Sequence, residues 1–116
     1  MERTELVQHA GEILSYISLH RSNQDVIDLG SFLLDKSISY TTIRASWEMM
    51  SLEEKQNNDP SRTASHNGLI ATVTAFMRYM KNNGEEVEWF DGIKDNRKDI
   101  GDLGNAIAFV AAIRNR

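Results

Sequence analysis

The fold is decided by the stretch LIATVTAFMRYM, residues 69–80. Its large apolar residues recur at steps of three and four, the spacing of one face of an α-helix. They are Leu69, Ile70, Val73, Phe76, Met77 and Met80. Gly84 follows shortly afterwards and suits the left-handed position after a helix end. The stretch therefore predicts the best-defined helix of the chain.

The start of this helix is predicted at the only proline. Asp59 can cap the first turn and Pro60 can be its first residue, while the polar run before them contains no apolar residue. We therefore expect a break at residues 57–60. It divides a single domain, 1–116, into an N-terminal helical half (1–57) and a C-terminal helical half (59–116) that pack together.

The remaining helices are predicted from the same spacing and from capping residues. The expected helices are Thr4–His20, one opened by Ser22, one capped by Ser39, a short turn over 51–57, and a last helix capped by Asn96 with Asp99. Residues 85–92 are expected to be irregular. No stretch alternates as a strand does. The class is all-α, a compact bundle of about five helices without significant β-sheet.

Composition excludes several classes of protein. The chain has 116 residues, no cysteine and a formal net charge of −4. Thiolate catalysis and thiolate zinc sites are therefore excluded. The N-terminus is polar and acidic where a signal peptide is basic and then apolar, and no apolar run is long enough to span a bilayer. We expect a cytoplasmic protein without a membrane partner.

One polar cluster is predicted in the C-terminal half. Arg62 and His66 precede Leu69 by helical steps and should project towards the core, where acids of the last helix could pair with them. The candidate network comprises Arg62, His66, Asn67, Arg97, Asp99, Asp102 and Asn105. A structural polar lock is favoured over a general base or a metal site, because ion-pair networks commonly serve packing alone. No catalytic residue, metal or cofactor is assigned.

A candidate interface is predicted from residues that are unusual for their position: glycines inside a helix and large apolar side chains in an acidic loop. Gly101 and Gly104 each weaken a helix, so another backbone should approach them closely, within the bundle or across a dimer. Trp89 and Phe90 are large apolar residues in an acidic loop. We expect Trp89 to be buried against the Pro60 helix or the last helix; if it is exposed, it would instead anchor a partner.

Three stretches resemble an uncharacterised family of small helical proteins from Firmicute bacteria and their prophages. They are SRTASHNGLI (residues 61–70), FMRYM (76–80) and DNRKDIGD (95–102), and the closing RNR (114–116) belongs to the same resemblance. The family pattern is R-T-x-x-H-N near a helix start and D-R-K-x-I-G-D near the end. Here Asn96 is inserted before Arg97, and Leu103-Gly104 stand where an aromatic residue is common. The resemblance covers about residues 60–116 and implies a helical domain with no established activity.

Residues 33–50 give an alternative hypothesis. The segment around Ile38, Ser39, Thr42 and Ile43 resembles a repressor-type helix-turn-helix, although Ser37 replaces the turn glycine. The residues that would then face DNA are Tyr40, Thr41 and Arg44. An ordinary helix–loop–helix is favoured, because this half of the chain is acidic and DNA affinity depends on phosphate contacts.

The function that the sequence favours is non-enzymatic binding of a protein. Small size, acidic charge and the lack of a convincing catalytic set all favour it, and the family resemblance suggests a phage or prophage accessory or anti-defence factor that binds a host or phage protein. A homodimer is compatible with the glycine pattern. We expect no nucleic-acid partner; the alternative is the DNA-binding regulator that uses residues 33–50.

Overall fold

The computed structural model describes residues 1–115, so Arg116, the last residue of the predicted C-terminal half, lies outside it. The fold is all-α, as predicted, and no strand occurs among these residues. The helices are α1 (Arg3–Leu19), α2 (Gln24–Trp47), α3 (Leu52–Asn82) and α4 (Arg97–Arg114), with a short 3₁₀ helix at Glu88–Gly92. Residues 1–115 contain four α-helices instead of about five, because two predicted breaks are absent.

The break predicted before Ser39 is wrong, because α2 runs without interruption through it. Ser37, the expected turn residue, lies inside the helix and is fully buried. Packing of this residue against the other helices therefore overrides its weak helix propensity. Asn23, and not Ser22, caps the start of α2 through the backbone N–H groups of Asp25 and Val26.

The break predicted at residues 57–60 is also wrong. The helix begins earlier, at a capping box in which Ser51 and Glu54 exchange side-chain and backbone hydrogen bonds. Pro60 therefore lies well inside α3. Proline cannot donate a hydrogen bond to the backbone carbonyl of Gln56. Because Gln56 is exposed, water can donate one to that carbonyl instead. A polar segment that resembles a linker is thus helical.

The helices pack in a regular order around one core. α2 and α3 are antiparallel, with Asn23 contacting Tyr79 near one end and Trp47 contacting Arg62 near the other. α4 lies against α1, α2 and α3. The α4 glycines make its close approach feasible: a Cβ on Gly101 would lie 2.5 Å from the Tyr40 hydroxyl, and one on Gly104 would lie 2.6 Å from Leu69.

The segment between α3 and α4 closes one side of the core. Gly84 adopts a φ of 91° directly after α3, as its position predicts. Phe90 is buried, whereas Trp89 is half-buried. Trp89 stacks on His9 of α1, with ring centroids 3.9 Å apart. The expectation that Trp89 is buried against α3 or α4 is therefore wrong: its partner is α1, and no local pattern predicts that α1 lies there.

Candidate functional site

Three of the predicted network residues meet where α3 and α4 begin to pack together. The ring nitrogen Nε2 of His66 lies 2.9 Å from the backbone oxygen of Arg97. The Arg97 guanidinium in turn donates a hydrogen bond of 2.9 Å to the side-chain oxygen of Asn67. These contacts tie the first turn of α4 to α3.

The other four residues of the predicted network have different partners. Arg62 lies over the Trp47 ring, 4.5 Å from its centroid, and Asp102 accepts from Arg44 at 3.0 Å. Asn105 accepts from Thr41, and Asp99 faces the Met1 amino group. The predicted Arg62–His66–aspartate network is therefore wrong. His66 lies beside Arg97, which precedes both aspartates along α4. Asp102 pairs instead with Arg44 of α2 and with Lys98 of its own helix.

The surroundings of His66 favour its neutral form. Burial lowers the pKa of this imidazole from its ordinary value of 6.5, and the neighbouring cations Arg97, Arg62 and Arg44 lower it further, against the opposing hydrogen bond to the Arg97 backbone. A carbonyl oxygen only accepts, so Nε2 carries the proton of the neutral ring. Nδ1 then carries a lone pair.

Two adjoining concavities surround His66, and together we call them the basic cleft. One has a volume of about 310 Å³ and is lined by Arg44, Arg62 and Lys98, with Tyr40, Trp47 and Glu48. The other has a volume of about 550 Å³ and is lined by Arg62, Arg97, Thr63 and Asn67. Cations from α2, α3 and α4 therefore converge on one surface.

The residues predicted to face DNA contact α4 instead. Tyr40 is buried against Gly101, while Thr41 and Arg44 contact Asn105 and Asp102. The helix-turn-helix geometry predicted for residues 33–50 is wrong, because α2 continues to Trp47 without the turn that the motif requires.

The predicted interface residues lie mostly inside the protein. Phe90, Gly101 and Gly104 are buried, so the close approach at the glycines occurs within the bundle. They are not available to a partner, which corrects that prediction. Trp89, by contrast, is only half-buried where it stacks on His9.

An exposed apolar surface lies elsewhere, on α2 and α4. The Thr41–Asn105 hydrogen bond joins these antiparallel helices, so Ile38 lies level with Phe109 one turn further along. Both are large apolar side chains, 52% and 58% exposed. We call Leu34, Ile38, Phe109 and Ala112 the α2–α4 face. Sequence reasoning missed it, although Phe109 falls outside the apolar stripe of the last helix.

A groove borders this face between α1 and α4. Its volume is about 570 Å³, and Phe109 forms part of its lining. Leu6, Val7 and Ala106 contribute apolar walls, while Arg3, Arg44 and Lys98 contribute positive charge beside a single acid, Asp102. The groove is therefore apolar at its floor and basic along its rim.

Among residues 1–115, no group of three or more histidine or acidic side chains is placed to hold a metal ion. None of the helices described there is long and apolar enough to cross a membrane. Comparison with protein-family models, with curated proteins and with solved structures gave no match to this chain.

Proposed function

We propose that this protein acts without catalysis, by binding another protein through the α2–α4 face. The observation that carries the proposal is the pairing of Ile38 and Phe109, two large apolar side chains that are more than half exposed and lie level on neighbouring helices. Apolar anchors beside a concave surface are typical of the energetic centre of a protein interface. The finer role, as a phage or prophage accessory or anti-defence factor, rests on the family resemblance.

The charges around the face define the chemistry of the partner. Arg3, Arg44 and Lys98 line the adjoining groove with only Asp102 to oppose them. Complementary charges steer association and select partners. The partner surface we propose therefore carries apolar side chains flanked by carboxylates, as on an acidic amphipathic helix.

Site-specific photo-crosslinking in cells tests this proposal. A crosslinking amino acid replaces Ala112 on the face, and a matched chain carries it at Ala71, which is exposed on α3. We expect one dominant covalent adduct from position 112 and none from position 71. Phe109→Asp should abolish the adduct, because the apolar anchor is lost and the new carboxylate repels the acidic partner surface.

The chain offers a matched control for that variant. The side chain of Phe32 is 60% exposed, a fraction similar to that of Phe109. It lies about a third of a turn round α2 from Ile38 and therefore outside the face. Phe32→Asp should keep the adduct. Equal adducts from both crosslinking positions, or equal loss in both aspartate variants, would overturn the proposal. An adduct between two copies, with a dimer in sedimentation, would replace the proposed partner by a second copy.

A further inference from the structure

The basic cleft collects positive charge in a chain whose formal net charge is −4. Arg44 comes from α2, Arg62 from α3, and Arg97 and Lys98 from the first turn of α4. Arg62 and His66 line both of its concavities. Cations repel one another, so their convergence from three helices costs stability unless an anion occupies the space between them.

The acids nearby offset only part of this charge, because two of them, Glu48 and Asp102, lie beside four cations. Asp102 is shared between two cations, 3.0 Å from Arg44 and 3.8 Å from Lys98. Arg62 meets Asp59 at 3.5 Å with both side chains well exposed, which makes a weak ion pair. The Arg97 guanidinium binds a neutral amide, that of Asn67. Arg62 and Arg97 also line a concavity that contains no acid.

The arginines are already held in place. Arg62 lies over Trp47, Arg97 donates to Asn67, and Arg44 donates to Asp102. A side chain fixed before binding loses less entropy when the ligand arrives, so these contacts favour affinity. Guanidinium groups present paired N–H donors that match the oxygens of a phosphoryl group.

We propose that the basic cleft binds the phosphoryl group of a small phosphorylated molecule, with Arg62 and Arg97 as its principal ligands. The concavities, about 310 and 550 Å³, are of the size that holds small ligands. Free phosphate and a phosphate ester share this chemistry. The site adjoins the groove beside Phe109 and shares Arg44 and Lys98 with it, but its principal ligands, Arg62 and Arg97, do not line that groove.

His66 provides a reporter inside the cleft. The titratable and charged groups around its ring come from every neighbouring helix: Tyr40, Arg44 and Glu48 at the end of α2, Arg62 from its own helix, and Arg97 and Lys98 from α4. A bound dianion would offset the charge of the three arginines, which favours the charged imidazolium. Ligand binding should therefore raise the pKa of His66, and Nδ1–H would become a further donor to the anion.

Titration of the full chain tests the assignment. The protein is titrated at constant ionic strength with inorganic phosphate, with a sugar phosphate and with chloride, followed by calorimetry and by NMR of the arginine Nε–H and His66 ring signals. We expect saturable binding of both phosphates but not of chloride. Arg62→Gln and Arg97→Gln should each weaken binding about 10-fold, the loss of one charge-assisted contact.

Arg78→Gln is the matched control, since Arg78 is an exposed arginine of α3 outside the cleft. It should bind phosphate as the parent does, and thermal melts confirm that all three variants fold. Tighter binding of the sugar phosphate assigns the site to an ester, and equal binding assigns it to free phosphate. Absence of saturable binding at millimolar phosphate, or equal weakening in Arg78→Gln, would overturn the proposal.

Discussion

The two halves of α3 are parts of one helix held by different forces. Between residues 69 and 80, five side chains are buried in the core, among them Leu69, Val73 and Phe76 without exposed surface. Between residues 52 and 64, every residue except Lys55 is exposed. The C-terminal half is helical because the bundle buries its apolar face, whereas local contacts hold the N-terminal half.

Those local contacts are individually weak, and one contact with α2 adds to them. The local ones are the Ser51–Glu54 capping box and the Asp59–Arg62 pair, and the contact with α2 is the stacking of Arg62 on Trp47. Caps and surface contacts of this kind contribute about 1 kcal/mol each. Isolated helices of this length are marginal in water. We therefore expect the exposed half to open locally while the core stays folded.

The largest expected difference between the halves is in the free energy of unfolding lost when one leucine in each is replaced by alanine. Leu69→Ala should lower the free energy of unfolding by about 2–5 kcal/mol, because it leaves a cavity where Leu69 fills the space over Gly104. Leu52→Ala is the matched change at a largely exposed site and should cost within about 0.5 kcal/mol. Urea denaturation measures both. Similar losses would show that the two halves are equally part of the core.

A smaller effect is expected from His66, which lies between the two halves. Burial lowers its folded-state pKa below 6.5, so the unfolded chain binds the proton more readily. Stability should be full above the unfolded pKa and should fall as the pH decreases from about 6.5 towards the folded pKa. His66→Gln removes the titrating group and should flatten this part of the pH profile of unfolding. A profile that keeps its slope in the variant would assign the dependence elsewhere.

The sequence predicted the parts of the fold that local patterns encode. The apolar spacing of residues 69–80, the cap at Asn96 and the glycine end at Gly84 all appear as expected. The missed features depend on tertiary partners. Ser37 resembles a turn residue until the bundle buries it, and the partners of Arg44 and Asp102 follow from helix packing that no local pattern encodes.

The site was predicted in part for the same reason. His66, Asn67 and Arg97 do come together, because α4 runs parallel to α3 and its first turn packs beside the middle of α3. The parallel arrangement itself could not be deduced, because it depends on how α2 and the segment after Asn82 route the chain. For the same reason the sequence did not predict that Arg44 of α2 lines the cleft.

The smallest effect on global stability, and the sharpest test of the comparison, is expected from Pro60→Ala. Alanine restores the hydrogen bond to the Gln56 carbonyl and removes a proline that disfavours an interior helical position by about 3 kcal/mol. If the exposed half opens independently, that gain stays local. Amide exchange over residues 56–64 should slow markedly, while exchange over residues 69–80 and the midpoint of urea unfolding should stay unchanged. An increase in the unfolding midpoint that accompanies the local protection would mean that α3 melts as one cooperative unit, and the distinction between its halves would fail.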